Sequence, residues 1–112
     1  MILALTYEKN QNNIGQHFGE SKNFLLVNME TLDKKVIDNG GFSHKSLIPY
    51  LLSLNVNTLI CGGIGTTAVE LLNEAGISVI PGISGDADMV INEFTNGVLK
   101  GDRSYIHECD CN

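Results

Sequence analysis

The feature that most constrains the fold is an apolar run followed at once by a cluster of glycines, over residues 58–67. The run lacks any alternation of polar and apolar side chains, so it predicts a buried central strand. The glycines allow the backbone to turn sharply and to approach a ligand closely. Thr67 and Glu70 fit a capping box, which predicts a helix whose free N–H groups open beside this loop and favour an anionic ligand.

The first half of the chain predicts three strands and a helix. Residues 2–7 and 24–29 are apolar enough to form strands, and residues 34–38 follow the second of these as an antiparallel hairpin partner. This third strand is short and polar, which is typical of the edge of a sheet. A helix is expected to begin near residues 43–46, and Pro49 is compatible with it only in its first turn.

In the second half of the chain, strands and helices alternate. Residues 67–74 carry apolar side chains at helical spacing, residues 77–80 predict a short strand, and Ser84 or Asp86 can cap a last helix. The order β-β-β-α-β-α-β-α predicts an α/β fold, with a mixed five-stranded sheet and helices on both faces. We expect one domain over residues 1–101 and a Cys/His-containing C-terminal tail over residues 102–112.

Charge and composition exclude several classes of function. The chain has 112 residues and a formal net charge of −6, and its basic residues are scattered, so nucleic acid is not an expected partner. Its apolar runs are shorter than the ~18 residues of a membrane span. The apolar N-terminus lacks the preceding positive charge of a signal peptide. We therefore expect a cytoplasmic protein with no membrane partner.

A nucleotide site is one interpretation of the glycine cluster. Residues 63–68 match the dinucleotide fingerprint G-x-G-x-x-[G/A] between a predicted strand and a predicted helix. The acidic residue that would hold a ribose is absent from the end of the next strand, where Pro81 and Gly82 follow instead. The glycines can alternatively serve a tight turn, or their N–H groups can face another anionic ligand, and these interpretations remain open.

Two further stretches carry side chains that bind metals. His17 lies in a glycine-flanked loop, where a histidine is either a solvated surface residue or a ligand. His107, Cys109 and Cys111 alternate near the C-terminus, so in an extended segment they share one side and can bind iron, zinc or copper(I). A tail with incidental cysteines is the alternative, because a closed zinc site needs four ligands. Cys61 is interpreted as a core residue, with a ligand role left open.

Sequence signatures of hydrolytic enzymes are absent. The chain has no G-x-S-x-G, no H-E-x-x-H and no lysine after its glycine loop of the kind that binds phosphates. Its first predicted strand carries no aspartate for two-metal nuclease chemistry. We therefore expect that the protein is not an enzyme.

Three stretches together resemble a known family: the H-F-G loop at residues 14–19, the strand at 24–27, and the run at 59–65 followed by Ala68. They resemble the dinitrogenase iron-molybdenum cofactor biosynthesis family, which includes carriers related to NifX and NafY and the C-terminal domain of NifB. The similarity extends over residues 1–101. It implies a ribonuclease H-like α/β fold and a cofactor-binding histidine, matched here by His17, with the glycine loop lining the same cleft.

The first hypothesis is therefore a non-enzymatic carrier or insertion protein for an iron-sulfur or iron-molybdenum type metallocluster. Imidazole, thiolate and N–H groups suit a polyanionic cluster, whereas the negative net charge requires local shielding. The expected partners are metallocluster donor or acceptor proteins, and the expected state is a monomer or weak homo-oligomer. The predicted cofactor-binding residues are His17, Phe18, Gly19, Gly62, Gly63, Ile64 and Gly65, and the predicted metal ligands are His17, His107, Cys109 and Cys111.

Two other hypotheses remain. The first alternative is a small-molecule or nucleotide-phosphate binding protein that uses the loop from Gly62 to Gly65. The second is an interaction module with a vestigial site. The carrier hypothesis requires that the loop of His17 and the glycine turn converge on one pocket at one end of the sheet.

Overall fold

The computed structural model describes residues 1–41 and 44–107, apart from the side chains of residues 44 and 45. The predicted order of strands and helices is confirmed, with three additional two-residue strands. The elements are β1 (Ile2–Glu8), β2 (Asn13–Ile14), β3 (Asn23–Asn28), β4 (Lys34–Asp38), α1 (His44–Ser53), β5 (Val56–Ile60), β6 (Ile64–Gly65), α2 (Thr66–Glu74), β7 (Ser78–Ile80), α3 (Ala87–Thr95) and β8 (Ile106–His107), with 3-10 turns at Phe18–Glu20 and Arg103–Tyr105.

The main sheet has the strand order β4-β3-β1-β5-β7, and β2 pairs with β1 as a sixth strand. The β3 strand is antiparallel to both β1 and β4, whereas β5 is parallel to β1 and β7. The mixed sheet, the hairpin and the edge position of β4 are therefore confirmed. The predicted strand count of five becomes six because β2 is too short to show any periodicity.

Both faces of the sheet are buried, because side chains of a strand alternate between its two sides. On β1, Leu3 and Leu5 point to the face covered by α3, and Ala4 points to the face covered by α1 and α2. The hydrophobic core accordingly has two layers. Its largest fully buried side chains are Phe18, Phe24, Leu3, Leu5, Leu47, Leu51, Leu59, Ile60, Ile64, Leu72, Ile77 and Val27.

The expectation that Pro49 lies in the first turn of its helix is wrong. Helix α1 begins at His44, so Pro49 is inside the helix, where it lacks the N–H that would bond to a carbonyl four residues earlier. The side chain of Pro49 is exposed, while its neighbours Leu47 and Leu51 are fully buried. Packing of these leucines against the sheet offsets the lost hydrogen bond.

The two later helices begin differently from one another. Helix α2 begins at Thr66 with Gly65 as its N-cap and no side-chain capping bond, so the predicted capping box at Thr67 is wrong. Helix α3 is capped by the side chain of Asp86, which accepts a hydrogen bond of 3.0 Å from the N–H of Met89. Asp86, rather than Ser84, is therefore the cap of the last helix.

Packing continues beyond residue 101, where the sequence predicted that the domain would end. The N–H of Asp102 donates to the carbonyl of Pro81 at 2.7 Å, and β8 pairs in parallel with β6. Residues 102–107 therefore contact the loops that follow β5 and β7. Cys109 and Cys111 lie outside the described residues.

Over the described residues, none of the helices has both the length and the apolar character needed to cross a membrane.

Candidate functional site

A cleft lies beyond the ends of β5 and β7, two parallel strands whose carboxyl ends meet at the same edge of the sheet. This is the edge at which open α/β sheets generally bind ligands. The cleft has a volume of about 440 Å³. It is lined by Gln16, His17, Gly62, Gly63, Gly82, Ile83, Ser84, Ser104, Tyr105 and His107.

One wall of the cleft is a backbone crossing between the His17 loop and the glycine turn. The N–H of Gly63 donates to the carbonyl of Gln16 at 2.6 Å, and the N–H of Phe18 donates to the carbonyl of Gly63 at 3.0 Å. These bonds pair His17 with Gly63 in a short parallel bridge. The predicted convergence of the two segments on one pocket is confirmed.

Gly62 is required by this crossing. A β-carbon at this position would lie 2.5 Å from the carbonyl oxygen of Gln16, which is backbone and cannot rotate away. Only a residue without a side chain lets the two backbones come so close. The glycine at position 62 is therefore required by the close approach of two chain segments.

The loop after β7 closes a second wall. The N–H of Gly82 donates to the carbonyl of Gly62 at 2.9 Å, and the N–H of Ile83 donates to the carbonyl of Cys61 at 3.0 Å. Gly82 has a φ of +77°, and a β-carbon there would lie 2.5 Å from Cβ of Asp102. The C-terminal segment therefore packs directly on this loop.

Two imidazoles meet at Gly63. A β-carbon on Gly63 would lie 3.2 Å from Nδ1 of His17 and 3.5 Å from Nε2 of His107. The carbonyl of His107 accepts a hydrogen bond of 3.3 Å from the hydroxyl of Thr66, which holds β8 against the start of α2. Both histidines are exposed at the cleft. The sequence predicted each as a ligand but did not predict that they share one wall.

Several predicted cofactor-binding residues lie elsewhere. Phe18 is 1% exposed and packs its ring 6.2 Å from that of Phe24, and Ile64 is 2% exposed, so both side chains belong to the core. Gly65 forms the N-cap of α2, and Gly19 lies in a 3-10 turn. These four residues do not line the cleft. Phe18 and Ile64 are directly adjacent to His17 and Gly63 in sequence, and in extended backbone direct neighbours face opposite ways.

Sequence reasoning missed the part of the lining that comes from the end of the chain and from the loop after β7. Gly82, Ile83 and Ser84 follow the strand β7, and the Pro81-Gly82 turn was the available signal for that loop. Ser104 and Tyr105 lie in a stretch without periodicity, and only the pairing of β8 with β6 brings them to the cleft.

Among the described residues that line this cleft there is no aspartate, glutamate, lysine or arginine. The carboxylate of Asp102 accepts hydrogen bonds from the N–H and hydroxyl of Ser104, at 2.9 and 2.6 Å. These two bonds hold the pKa of Asp102 below its ordinary value. In a chain with a net charge of −6, the described lining side chains therefore add no negative charge of their own, and the ionised carboxylate of Asp102 lies behind Ser104 and is bonded to it.

A second cleft of about 590 Å³ also borders His17, but its lining is different in kind. It includes Glu8, Lys9, Glu20 and Lys22, and none of the glycines that follow β5. Mixed charges of this type are less suited to a polyanion than the uncharged lining of the smaller cleft. We therefore place the candidate site in the smaller cleft.

Cys61 does not contribute a thiolate. Its side chain is fully buried, and burial raises the pKa of the Cys61 thiol to about 12. The thiol is consequently protonated at neutral pH, whereas a metal ligand must be the thiolate. Among the described residues, no group of three or more His, Cys, Asp or Glu side chains could hold a metal ion.

Some backbone groups of the glycine turn already form hydrogen bonds within the protein. The N–H of Gly63 is bonded to Gln16, and Ile64 and Gly65 pair with β8. A phosphate-binding loop instead needs N–H groups that point at the ligand. This arrangement does not favour the nucleotide interpretation.

Comparison with known proteins shows the family of this chain. A family model described as "Dinitrogenase iron-molybdenum cofactor" matches residues 1–97. The chain belongs to this family. A search of curated proteins found no match.

Solved structures with the same architecture include the following three. The crystal structure of PH0822 is 30% identical, with a TM-score of 0.85, over 94% of this chain and 97% of that one. The apo form of the orange protein from Desulfovibrio gigas is 24% identical, with a TM-score of 0.80, over 90% and 92% of the two chains. A putative NifB protein from Thermotoga, TM1290, assigned to the DUF35 family, is 24% identical, with a TM-score of 0.73, over 89% and 91%.

Proposed function

We propose that this protein is a non-enzymatic carrier or insertion protein for an iron-sulfur or iron-molybdenum type metallocluster. The observation that carries the proposal is the convergence of His17 and His107 on Gly63. They meet in a cleft whose described lining includes no Asp, Glu, Lys or Arg, in a chain from the dinitrogenase iron-molybdenum cofactor family. The cargo would be held in this cleft and passed between metallocluster donor and acceptor proteins.

The chemistry of the donor set fits such a cargo. Imidazole nitrogens bind iron, and hydroxyl groups can donate hydrogen bonds to the sulfides of a cluster and stabilise its negative charge. Ser84 and Tyr105 supply hydroxyls around the two histidines, whereas the hydroxyl of Ser104 already donates to the carboxylate of Asp102.

Cys109 and Cys111 are proposed as auxiliary thiolate ligands, although they lie outside the described residues. Cys109 follows His107 by two residues, so covalent geometry alone keeps their Cα atoms within about 7 Å. Thiolates are strong ligands for iron and other soft metals. With the two histidines they would complete a set of four ligands.

The proposal also includes a fold type, a non-enzymatic role and a cellular location, and each has its own support. The ribonuclease H-like fold is supported by the sheet order β4-β3-β1-β5-β7, in which only β3 runs against the other strands. The absence of a hydrolytic signature in the sequence supports a non-enzymatic role. A cytoplasmic location would match a site that requires reduced thiols.

Anaerobic reconstitution with iron and sulfide tests the proposal. We expect the protein to develop charge-transfer absorption in the visible range. His17→Ala and the double variant Cys109→Ser/Cys111→Ser should each weaken this absorption. His44→Ala, which removes the histidine at the start of α1, is the matched control and should leave it unchanged. A protein that stays colourless, or colour that none of these variants affects, would contradict the proposal.

A further inference from the structure

We propose that His17 and His107 form a two-imidazole clamp that binds a single transition-metal ion beside Gly63. The inference rests on the proposed function, because it uses the same cleft. The two ligand atoms are Nδ1 of His17 and Nε2 of His107. The inference differs in the ligand, since the clamp binds a bare ion in the absence of sulfide.

The positions of the two nitrogens carry the inference. Nδ1 of His17 lies 3.2 Å and Nε2 of His107 lies 3.5 Å from the point where Gly63 would carry a β-carbon. The two atoms are therefore no farther apart than the sum of these distances. Imidazole nitrogens bind zinc at about 2.0–2.1 Å, which requires a separation of roughly 3.4 Å at a tetrahedral metal. Side-chain rotation of two exposed histidines can provide this separation.

The backbone fixes both histidines to the same short segment. His17 is paired with Gly63 through the hydrogen bonds on either side of it, and His107 is paired with Gly65 in β6. The hydroxyl of Thr66 adds a bond to the carbonyl of His107. The backbone positions of the two histidines are thus fixed before the metal binds, and only their side chains need to rotate, which limits the entropic cost of binding.

The lining also limits which ions can bind. Mg²⁺ and Ca²⁺ prefer oxygen ligands, mainly carboxylates, and the described residues that line this cleft include no carboxylate. Two imidazoles instead favour borderline ions such as Zn²⁺, Co²⁺ and Ni²⁺. Gly63 keeps the space between the nitrogens open, because a methyl group there would lie between them.

The experiment titrates Zn²⁺ into the Cys109→Ser/Cys111→Ser variant, so that neither thiol contributes. Calorimetry measures affinity, and NMR follows the imidazole signals. We expect one Zn²⁺ per chain, shifts of the His17 and His107 rings, and no heat with Mg²⁺. His17→Ala and His107→Ala should each weaken binding at least tenfold, and the His44→Ala control should not. Gly63→Ala should also weaken binding in a protein that remains folded.

Two results would overturn the clamp: no Zn²⁺ binding by the variant without thiols, or binding that survives both His17→Ala and His107→Ala. Either result would leave the carrier proposal intact if reconstitution still gave His17-dependent absorption. Conversely, Zn²⁺ binding without any reconstituted cluster would support the clamp and contradict the carrier.

Discussion

At the scale of single residues, two adjacent glycines have different roles. A β-carbon on Gly62 would meet the backbone of Gln16 at 2.5 Å, whereas one on Gly63 would meet side-chain nitrogens at 3.2 and 3.5 Å. Side chains can rotate and backbone cannot without disturbing the crossing. Gly62 is therefore a residue of the fold, and Gly63 is a residue of the site.

The first prediction compares Gly62→Ala with Gly63→Ala. We expect Gly62→Ala to lower the free energy of unfolding by about 1–3 kcal/mol, the usual cost of overpacking. Gly63→Ala should cost less, because the exposed imidazoles can move. Urea unfolding followed by circular dichroism measures both values. Equal losses in the two variants would show that the crossing does not depend on position 62.

The second prediction concerns Cys61 and high pH. The pKa of its thiol is raised to about 12 by burial, from an ordinary value of 9.0. Between these values the unfolded thiol loses its proton and the folded thiol keeps it, so stability is full below pH 9 and falls as pH rises above it. The slope from this group approaches ~1.4 kcal/mol per pH unit.

Chemical denaturation between pH 8 and pH 10.5 measures this loss in the variant Cys109→Ser/Cys111→Ser, in which Cys61 is the remaining cysteine. Adding Cys61→Ala provides the reference, which retains every other group that titrates in this range. We expect a steeper fall with Cys61 than without it. Parallel curves would contradict a buried, protonated thiol.

At the scale of elements, the strands β1, β3, β4, β5 and β7 agree with their local sequence patterns. Helix α1 does not, because it contains a proline in its interior. The hairpin of β3 and β4 follows from two strands separated by a short polar turn, and Lys34 in β4 contacts Asp88 in α3 at 2.8 Å. Both partners of this ion pair are largely exposed, so it contributes little to stability. Helix α1, in contrast, retains Pro49 in its interior.

The third prediction is that Pro49→Ala stabilises the protein. Proline in a helix interior is ~3 kcal/mol less favourable than alanine, and its stiffening of the unfolded chain returns only ~0.4–1 kcal/mol. Because Pro49 is exposed, little packing is lost, and we expect a net gain of about 2 kcal/mol in thermal or urea unfolding. Pro81→Ala is the control and should give no gain, since Pro81 is buried. A loss of stability in Pro49→Ala would contradict a helix that begins at His44.

At the scale of the whole molecule, the cleft is built from both ends of the chain. The loop of His17 comes from the first strands, and residues 104–107 come from the last described segment. Between them lie the loops after β5 and β7. The site is therefore completed only when the C-terminal segment packs on Gly82 and β6.

The fourth prediction compares a chain ending at Gly101 with one ending at His107. The shorter chain lacks the bond from Asp102 to Pro81, the β8 strand and the partly buried Ile106. We expect it to be less stable by about 1–3 kcal/mol, from lost hydrogen bonds and apolar burial. Urea midpoints measure the difference. Coinciding midpoints would show that residues 102–107 contribute nothing to the fold.

The sequence by itself determined the α/β class, the hairpin and the edge strand, and it narrowed the cap of the last helix to Ser84 or Asp86. Each of these depends on residues close together in the chain, so a pattern of apolar and polar side chains is enough to predict it. The tertiary structure decided which residues line the cleft. His17, Gly63 and His107 are far apart in sequence, and their meeting depends on strand register and on the β6-β8 pairing. The tertiary structure also decided where α1 starts despite Pro49, because burial of Leu47 and Leu51 outweighs one missing hydrogen bond. A local sequence pattern cannot predict this difference in free energy.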